Sequence, residues 1–228
     1  MSEIVMPDKQ ALWQQTDHRL YYDLVAYIQS LSAPIKHTLI CIYDSFSTGA
    51  YLNFIPYQPI MDALAKHDIH IDAENGLITS CFGCYASSGC STHYGESMSQ
   101  KRTEHLIDWE TGQAYAWCIW DAFFIVKVIG KPALITSIDP ISQQRVEVFF
   151  DGQSFAKAPL WFSFPLGNRQ ESTTIQSCFC CRTKVFVLEQ DAKKFADYHH
   201  CEVVTMEQML ERTDLMVNAF CAGEYSII

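Results

Sequence analysis

The segment from Ala114 to Ile129 is the longest apolar stretch of the chain, yet it contains two charged residues, Asp121 and Lys127. It is shorter than the ~20 residues that a membrane-spanning helix needs. We therefore predict that Ala114 to Val128 is mainly a buried helix in the core of a soluble domain. A carboxylate is costly to bury unless it is paired or works in a pocket, so Asp121 indicates a candidate functional site.

Cys118 lies three residues before Asp121, within the motif Tyr115-Ala-Trp-Cys-Ile-Trp-Asp121. Residues three apart share one face of a helix, so we expect the thiol and the carboxylate to point into the same pocket. Such a pair can bind a soft metal and can also move a proton. The simpler alternative is a core cysteine, because Trp117 and Trp120 flank it.

A second thiol cluster follows about sixty residues later, in Ser177-Cys-Phe-Cys-Cys181. Three interpretations stay open for it: half of a zinc site, a redox motif, or chance. The cluster precedes Arg182 and Lys184, and nearby cations favour thiolates over thiols.

Composition excludes several classes of function. The chain has 228 residues and a formal net charge of −10, which argues against a nucleic-acid backbone or an anionic membrane as a partner. The polar N-terminus has no apolar core of a secretory signal, so we expect a cytoplasmic protein.

Ten cysteines are many for such a protein. Without an export signal, thiol or metal chemistry explains them better than disulfides do. Cys41 and Cys221 have apolar sequence neighbours, and we interpret both as inert buried residues. Cys201 follows His199 and His200, where a solvated helix end is favoured over a ligand cluster.

The chain as a whole is predicted to be α+β, with an N-terminal helical or winged-helix-like region packed on a mixed β-sheet core domain with helices. We place this region at residues 1–80, a cysteine-rich loop at 81–102 and the core domain at 103–228. The candidate core strands belong to a mixed or antiparallel sheet. Candidate helices are Thr16–Leu31 (capped by Thr16 or Asp17), Ile60–Lys66, Asp191–Tyr198, Met206–Arg212 and Asp214–Phe220; candidate strands are His37–Tyr43, Ala133–Ile138, Arg145–Phe150, Leu160–Phe164 and Lys184–Leu188, with a turn over Asp72–Ile78.

Together the two thiol motifs resemble those of the alkylmercury lyase (organomercurial lyase) family. The resemblance rests on Tyr115–Asp121, on Phe179-Cys-Cys181 and on weaker similarity around His199 and Thr205, and it spans Thr103 to Phe220. It implies a winged-helix-like region on a core of mixed sheet and helices. It also implies an enzyme that cleaves a carbon–mercury bond by protonolysis and requires no cofactor.

The resemblance assigns the catalytic roles to Cys118, Asp121 and Cys180. The two cysteines would bind the metal and keep the product Hg(II), since mercury prefers thiolates. Asp121 would deliver the proton to carbon, as a general acid. Hydrocarbon would leave, and a thiol or a dithiol metal-accepting protein would remove the mercury. Candidate substrate-binding residues are Trp117, Trp120, Phe179 and Cys181.

The sequence departs from the family in the cysteine-rich loop before the first motif. Cys81-x2-Cys84 is a common metal knuckle, and Cys90 with His93 would complete a four-ligand zinc site. A thiol relay that feeds the catalytic pocket, and loop thiols without a metal, are the alternatives. An iron–sulfur cluster is less favoured.

Two other functions stay open. The same thiols would serve a soft-metal carrier for mercury or copper that cleaves no bond. A lyase for another organometal is the second. Asp121 favours a lyase, because a simple thiolate carrier has no need of an acid beside its ligands.

Overall fold

The computed structural model describes residues 18–49, 69–72, 77–80, 98–99, 102–167 and 179–222. These ranges contain five α-helices, ten strands and one 3₁₀ turn. The helices are α1 (Arg19–Ser30), α2 (Ala33–Ser47), α3 (Ile119–Ile129), α4 (Glu189–His199) and α5 (Met206–Cys221), and the 3₁₀ turn is Cys180–Arg182. The strands are β1 (Ile69–Asp72), β2 (Leu77–Ser80), β3 (Met98–Ser99), β4 (His105–Trp109), β5 (Gln113–Ala116), β6 (Ala133–Ile138), β7 (Arg145–Phe150), β8 (Trp161–Pro165), β9 (Val185–Phe186) and β10 (Cys201–Thr205).

The core domain contains a five-stranded antiparallel sheet with the strand order β3-β5-β4-β6-β7. Strands β4, β6 and β7 alternate between buried and more exposed residues, the period-2 pattern of a sheet with one covered face. Helix α3 packs against β4, β5 and β6, and its residues from Ile119 to Val126 are all buried.

A second, three-stranded antiparallel sheet has the order β10-β8-β9. Helix α4 packs against β8 and β10, and α5 packs against α3. The 3₁₀ turn leads directly into β9. This arrangement brings the turn beside the start of α3, although the two are distant in the sequence.

Helices α1 and α2 pack on this core through α5 and α3, respectively. The buried face of α1 carries Leu20, Leu24 and Ile28 at helical spacing. The buried ammonium group of Lys36 donates hydrogen bonds to the backbone carbonyls of Gln29, Ala219 and Ala222. These hydrogen bonds connect the end of α1 to the end of α5.

The α+β prediction is confirmed, and every strand pair in the described ranges is antiparallel. The mixed sheet expected for the core is therefore an antiparallel one. Strands β1 and β2, on either side of the predicted turn, pair in antiparallel orientation, and turn residues 73–76 lie outside the described residues. The helix predicted at Ile60–Lys66 and the predicted capping residues Thr16 and Asp17 lie outside the described residues.

Two predicted elements are wrong. His37–Tyr43 is part of helix α2, not a strand: Leu39, Tyr43 and Phe46 are buried at helical spacing, so tertiary packing overrides the β-branched composition. The helix predicted over Ala114–Val128 begins only at Ile119, because its first residues form strand β5.

The two helices predicted after Met206 form one, α5, which starts with a capping box between Thr205 and Gln208. None of the helices in the described part of the chain is long and apolar enough to cross a membrane.

Candidate active site

Cys118 lies at the junction between β5 and α3, as the N-cap residue of the helix. Its backbone is extended (φ −147°, ψ 172°), and its Sγ accepts a hydrogen bond from the backbone N–H of Asp121 at 3.4 Å. The thiol in turn donates to Asp121 Oδ2 at 2.9 Å. The predicted pairing of thiol and carboxylate is therefore present, but helix capping produces it, not a shared helix face.

Cys180 comes from the 3₁₀ turn and reaches the same carboxylate. Its thiol donates to Asp121 Oδ2 at 3.4 Å. The two sulfur atoms and a carboxylate oxygen all lie within 4.8 Å of one another. In the described part of the chain, this is the one group of three or more histidine, cysteine and acidic residues with such spacing.

All three groups are buried: Cys118 is 0%, Cys180 2% and Asp121 6% exposed. Burial raises the pKa of the Cys118 thiol to about 11, although its hydrogen bond with Cys180 acts in the opposite direction. That same hydrogen bond, followed by burial, raises the pKa of Cys180 well above its ordinary range. Within the cluster that precedes Arg182 and Lys184, Cys180 therefore has a pKa shift that favours the thiol over the thiolate.

The site thus combines two soft ligands with one proton acceptor. Each sulfur must lose its proton to bind a metal, and the Oδ2 atom of Asp121 already accepts a hydrogen bond from both thiols. A proton released by either sulfur can therefore move directly to the carboxylate.

An aromatic cluster adjoins the reactive residues. Trp120 precedes Asp121, Phe179 precedes Cys180, and the two rings lie 5.1 Å apart. Phe164 and Tyr21 complete the cluster, with ring-to-ring distances of 5.2 to 6.0 Å. Phe164 and Tyr21 could not be identified from the two motifs, since they lie on β8 and α1, far from either motif in the sequence.

The other two predicted substrate-binding residues differ in burial. Trp117 is 9% exposed and directly precedes Cys118. Cys181 is exposed, although it neighbours the buried Cys180. The predicted zinc ligands Cys81, Cys84, Cys90 and His93 lie outside the described residues, as does Cys178.

The remaining described thiols are not buried in the core. Cys221 is exposed and Cys41 is half-buried, with its sulfur 3.6 Å from His37 Nε2, so the prediction of inert buried residues is wrong for both. Cys201 is half-buried and begins β10, directly after the end of α4, which agrees with the favoured helix-end interpretation.

A separate surface pocket of about 600 Å³ lies between the segment 153–161 and the first turns of α5. Its lining includes Phe155, Trp161 and Leu210 but none of Cys118, Asp121 and Cys180. None of the residues that line this pocket is a cysteine, so we place the candidate site at the buried thiols and not at this pocket.

Known proteins resemble this chain in sequence and in fold. The sequence profile of MerB, described as alkylmercury lyase, matches residues 98–217, just over half of the chain. No curated protein sequence matches the chain. Among solved structures, the mercury-bound form of MerB2 is similar in fold, with a TM-score of 0.56 and 16% sequence identity over 88% of this chain and 96% of that one.

Proposed function

The chain belongs to the alkylmercury lyase family, the enzymes that cleave carbon–mercury bonds, and we propose that Cys118, Cys180 and Asp121 carry out this cleavage by protonolysis. The observation that carries the proposal is that one oxygen atom, Asp121 Oδ2, accepts hydrogen bonds from both thiols. A carrier that only binds metal needs the two sulfurs but not this shared proton acceptor.

The reaction starts from an organomercurial R–Hg–X, in which X is a thiolate. The Cys118 sulfur bonds to mercury and displaces X, while its proton passes through Asp121 and leaves with X as a free thiol. The Cys180 sulfur then bonds to mercury and gives its proton to Asp121. Asp121 delivers this proton to the carbon atom, the carbon–mercury bond breaks, and hydrocarbon R–H leaves Hg(II) bound to two thiolates.

Burial supports this sequence of steps in two ways. The raised pKa values keep both thiols protonated near pH 7, so the proton that carbon needs is present in the site. Exclusion of water also strengthens the interaction of mercury with the thiolates and prevents competing proton transfers.

The first experiment measures hydrocarbon release by headspace gas chromatography, from reduced protein incubated with methylmercury or phenylmercury and excess thiol. We expect methane or benzene over many turnovers from the wild type and none from Cys118→Ser or Cys180→Ser. Cys221→Ser is the matched control, because it removes an exposed thiol outside the site, and it should retain full activity.

Mercury bound in a stoichiometric amount without any hydrocarbon would contradict the proposal for these substrates. Release of hydrocarbon from a different organometal in the same assay would then identify the substrate as another metal alkyl.

The organic group of the substrate is proposed to lie against aromatic side chains. Trp117, Trp120 and Phe179 each neighbour a reactive residue in the sequence and are buried, and apolar walls suit alkyl and aryl groups. We assign the exposed Cys181 to the entrance of the site.

Removal of the product requires a second thiol compound. Two thiolates hold Hg(II) tightly, so we propose that a dithiol, free or on a metal-accepting protein, takes it by ligand exchange. Both working thiols must stay reduced, which supports the proposal of a cytoplasmic location.

We also propose, from the sequence, a zinc site formed by Cys81, Cys84, Cys90 and His93. The division of the chain at residues 80 and 102 is likewise a proposal from the sequence. Metal analysis of the purified protein should find about one zinc per chain, in accordance with a single four-ligand site. The double variant Cys81→Ser/Cys84→Ser should lose the zinc, whereas Cys118 and Cys180, the thiols that we propose bind mercury, are unchanged in it. Metal-free wild-type protein with unchanged thermal stability would exclude this zinc site.

A further inference from the structure

Arg182 attaches the turn that carries Cys180 to a neighbouring part of the backbone. Its Nε donates to the carbonyl of His199 at 2.9 Å and its Nη2 to that of Leu166 at 3.0 Å. The Nη2 group also donates to the carbonyl of His200. These carbonyls lie at the end of α4 and just after β8, so one side chain connects three segments of the core domain.

The backbone around Arg182 is held as well. Its carbonyl accepts a hydrogen bond from Ser163 Oγ at 2.7 Å, and its N–H donates to the carbonyl of Phe179 at 3.0 Å. Thr183 Oγ1 donates to the same Phe179 carbonyl at 3.0 Å. The turn that contains Cys180 is therefore fixed from both sides.

Cys118 and Asp121 are positioned by a different device, the N-cap of α3. Their hydrogen bonds with each other lie within four consecutive residues. Of the three reactive groups, Cys180 is thus the one whose position depends on the hydrogen bonds of Arg182.

We propose that Arg182 is a positioning residue, which holds the Cys180 sulfur against Asp121. Arg182 therefore affects the rate of carbon–mercury cleavage more strongly than it affects the binding of the organomercurial. This inference rests on the proposed function. Capture of R–Hg requires one thiolate, which Cys118 supplies, whereas cleavage requires the second sulfur at the same mercury atom. The planar guanidinium suits the task, because it directs several N–H groups at fixed angles.

The test compares two substitutions that remove similar groups. Arg182→Met removes a cation that binds three backbone carbonyls, and Lys36→Met removes another such cation, whose partners are Gln29, Ala219 and Ala222. We expect both variants to lose thermal stability. In Arg182→Met, kcat for hydrocarbon release should fall by roughly 100-fold, the cost of a misplacement of about 1 Å, while KM changes less than about threefold because capture itself is retained.

In Lys36→Met, kcat should stay at the wild-type value. Arg182→Lys keeps the charge and part of the hydrogen bonding, so its kcat should lie between those of the wild type and Arg182→Met. This conservative variant also provides the test if Arg182→Met does not fold.

Wild-type kcat in Arg182→Met, or an equal loss of kcat in Lys36→Met, would overturn the positioning role. If the wild type itself released no hydrocarbon, the proposed function would fail instead. The affinity for Hg(II), measured against a competing dithiol, would still decide the role of Arg182, because two converging thiolates bind mercury more tightly than one. Weaker binding by Arg182→Met supports the positioning role, and unchanged binding overturns it.

Discussion

At the scale of single residues, Asp121 distinguishes this site from a simple pair of metal-binding thiols. Its carboxylate is 6% exposed and receives hydrogen bonds from both cysteines. Buried carboxylates are rare unless they are paired or functional. The two thiols alone account for metal binding, and the carboxylate accounts for proton transfer.

Replacement of Asp121 separates these two roles. Asp121→Asn keeps the shape of the side chain but cannot take a proton from a thiol. We expect mercury binding to remain and single-turnover hydrocarbon release to fall by about 10²- to 10⁴-fold, the usual contribution of a general acid or base. Bound mercury is measured by mass spectrometry and hydrocarbon by gas chromatography on the same sample. A variant as fast as the wild type would exclude proton transfer through Asp121.

At the scale of elements, helix α3 determines where the first thiol and the carboxylate lie. The helix begins directly after Cys118 and ends before Gly130, which has a left-handed backbone (φ 68°) and donates its N–H to the carbonyl of Val126. Glycine is the residue best suited to this position at a helix end. The same helix packs on three strands and on α5, so its position depends on the whole core.

A substitution at Gly130 tests this helix end. An added Cβ would have room, since its nearest neighbour is the carbonyl oxygen of Gly152 at 4.0 Å, so the cost comes from the backbone conformation. We expect Gly130→Ala to lower the free energy of unfolding by about 1 to 2 kcal/mol, and Gly130→Asn to lower it less, because asparagine tolerates this conformation. Urea unfolding measures both. Equal stability of the alanine variant and the wild type would contradict the argument.

At the scale of the whole molecule, a buried histidine couples stability to pH. His105 lies on β4, 1% exposed, with Nδ1 2.8 Å from Ser137 Oγ on the paired strand β6. Burial, followed by the nearby cation of Lys184, lowers the pKa of His105 to about 3. The folded protein therefore keeps this imidazole neutral at pH values where the unfolded chain protonates it.

The stability of the protein should consequently fall as the pH drops below about 6.5, the usual pKa of histidine, and this contribution should level off near pH 3. Each pH unit in this window costs about 1.4 kcal/mol. Between pH 7.5 and pH 5, we expect the wild type to lose roughly 2 kcal/mol more than His105→Gln, as measured by urea unfolding at both values. Parallel losses in the two proteins would show that His105 does not couple folding to pH.

Local patterns were sufficient for several parts of this structure. Strands Ala133–Ile138 and Arg145–Phe150 have the predicted bounds. Buried and exposed residues alternate along a strand, and this two-residue repeat is recognisable within a segment of six residues. The pairing of Cys118 with Asp121 could also be predicted from local spacing, because the start of a helix brings residues that are three apart close together.

The other features depend on contacts between distant segments. Composition favours a strand at His37–Tyr43, but packing on the core makes it helical. The convergence of Cys180 on Asp121, the aromatic contacts of Tyr21 and Phe164, and the carbonyl partners of Arg182 all join residues that are far apart in the chain. Residue types and short spacings indicate which chemistry is available, whereas burial and long-range packing bring the two thiols to one carboxylate and raise their pKa values.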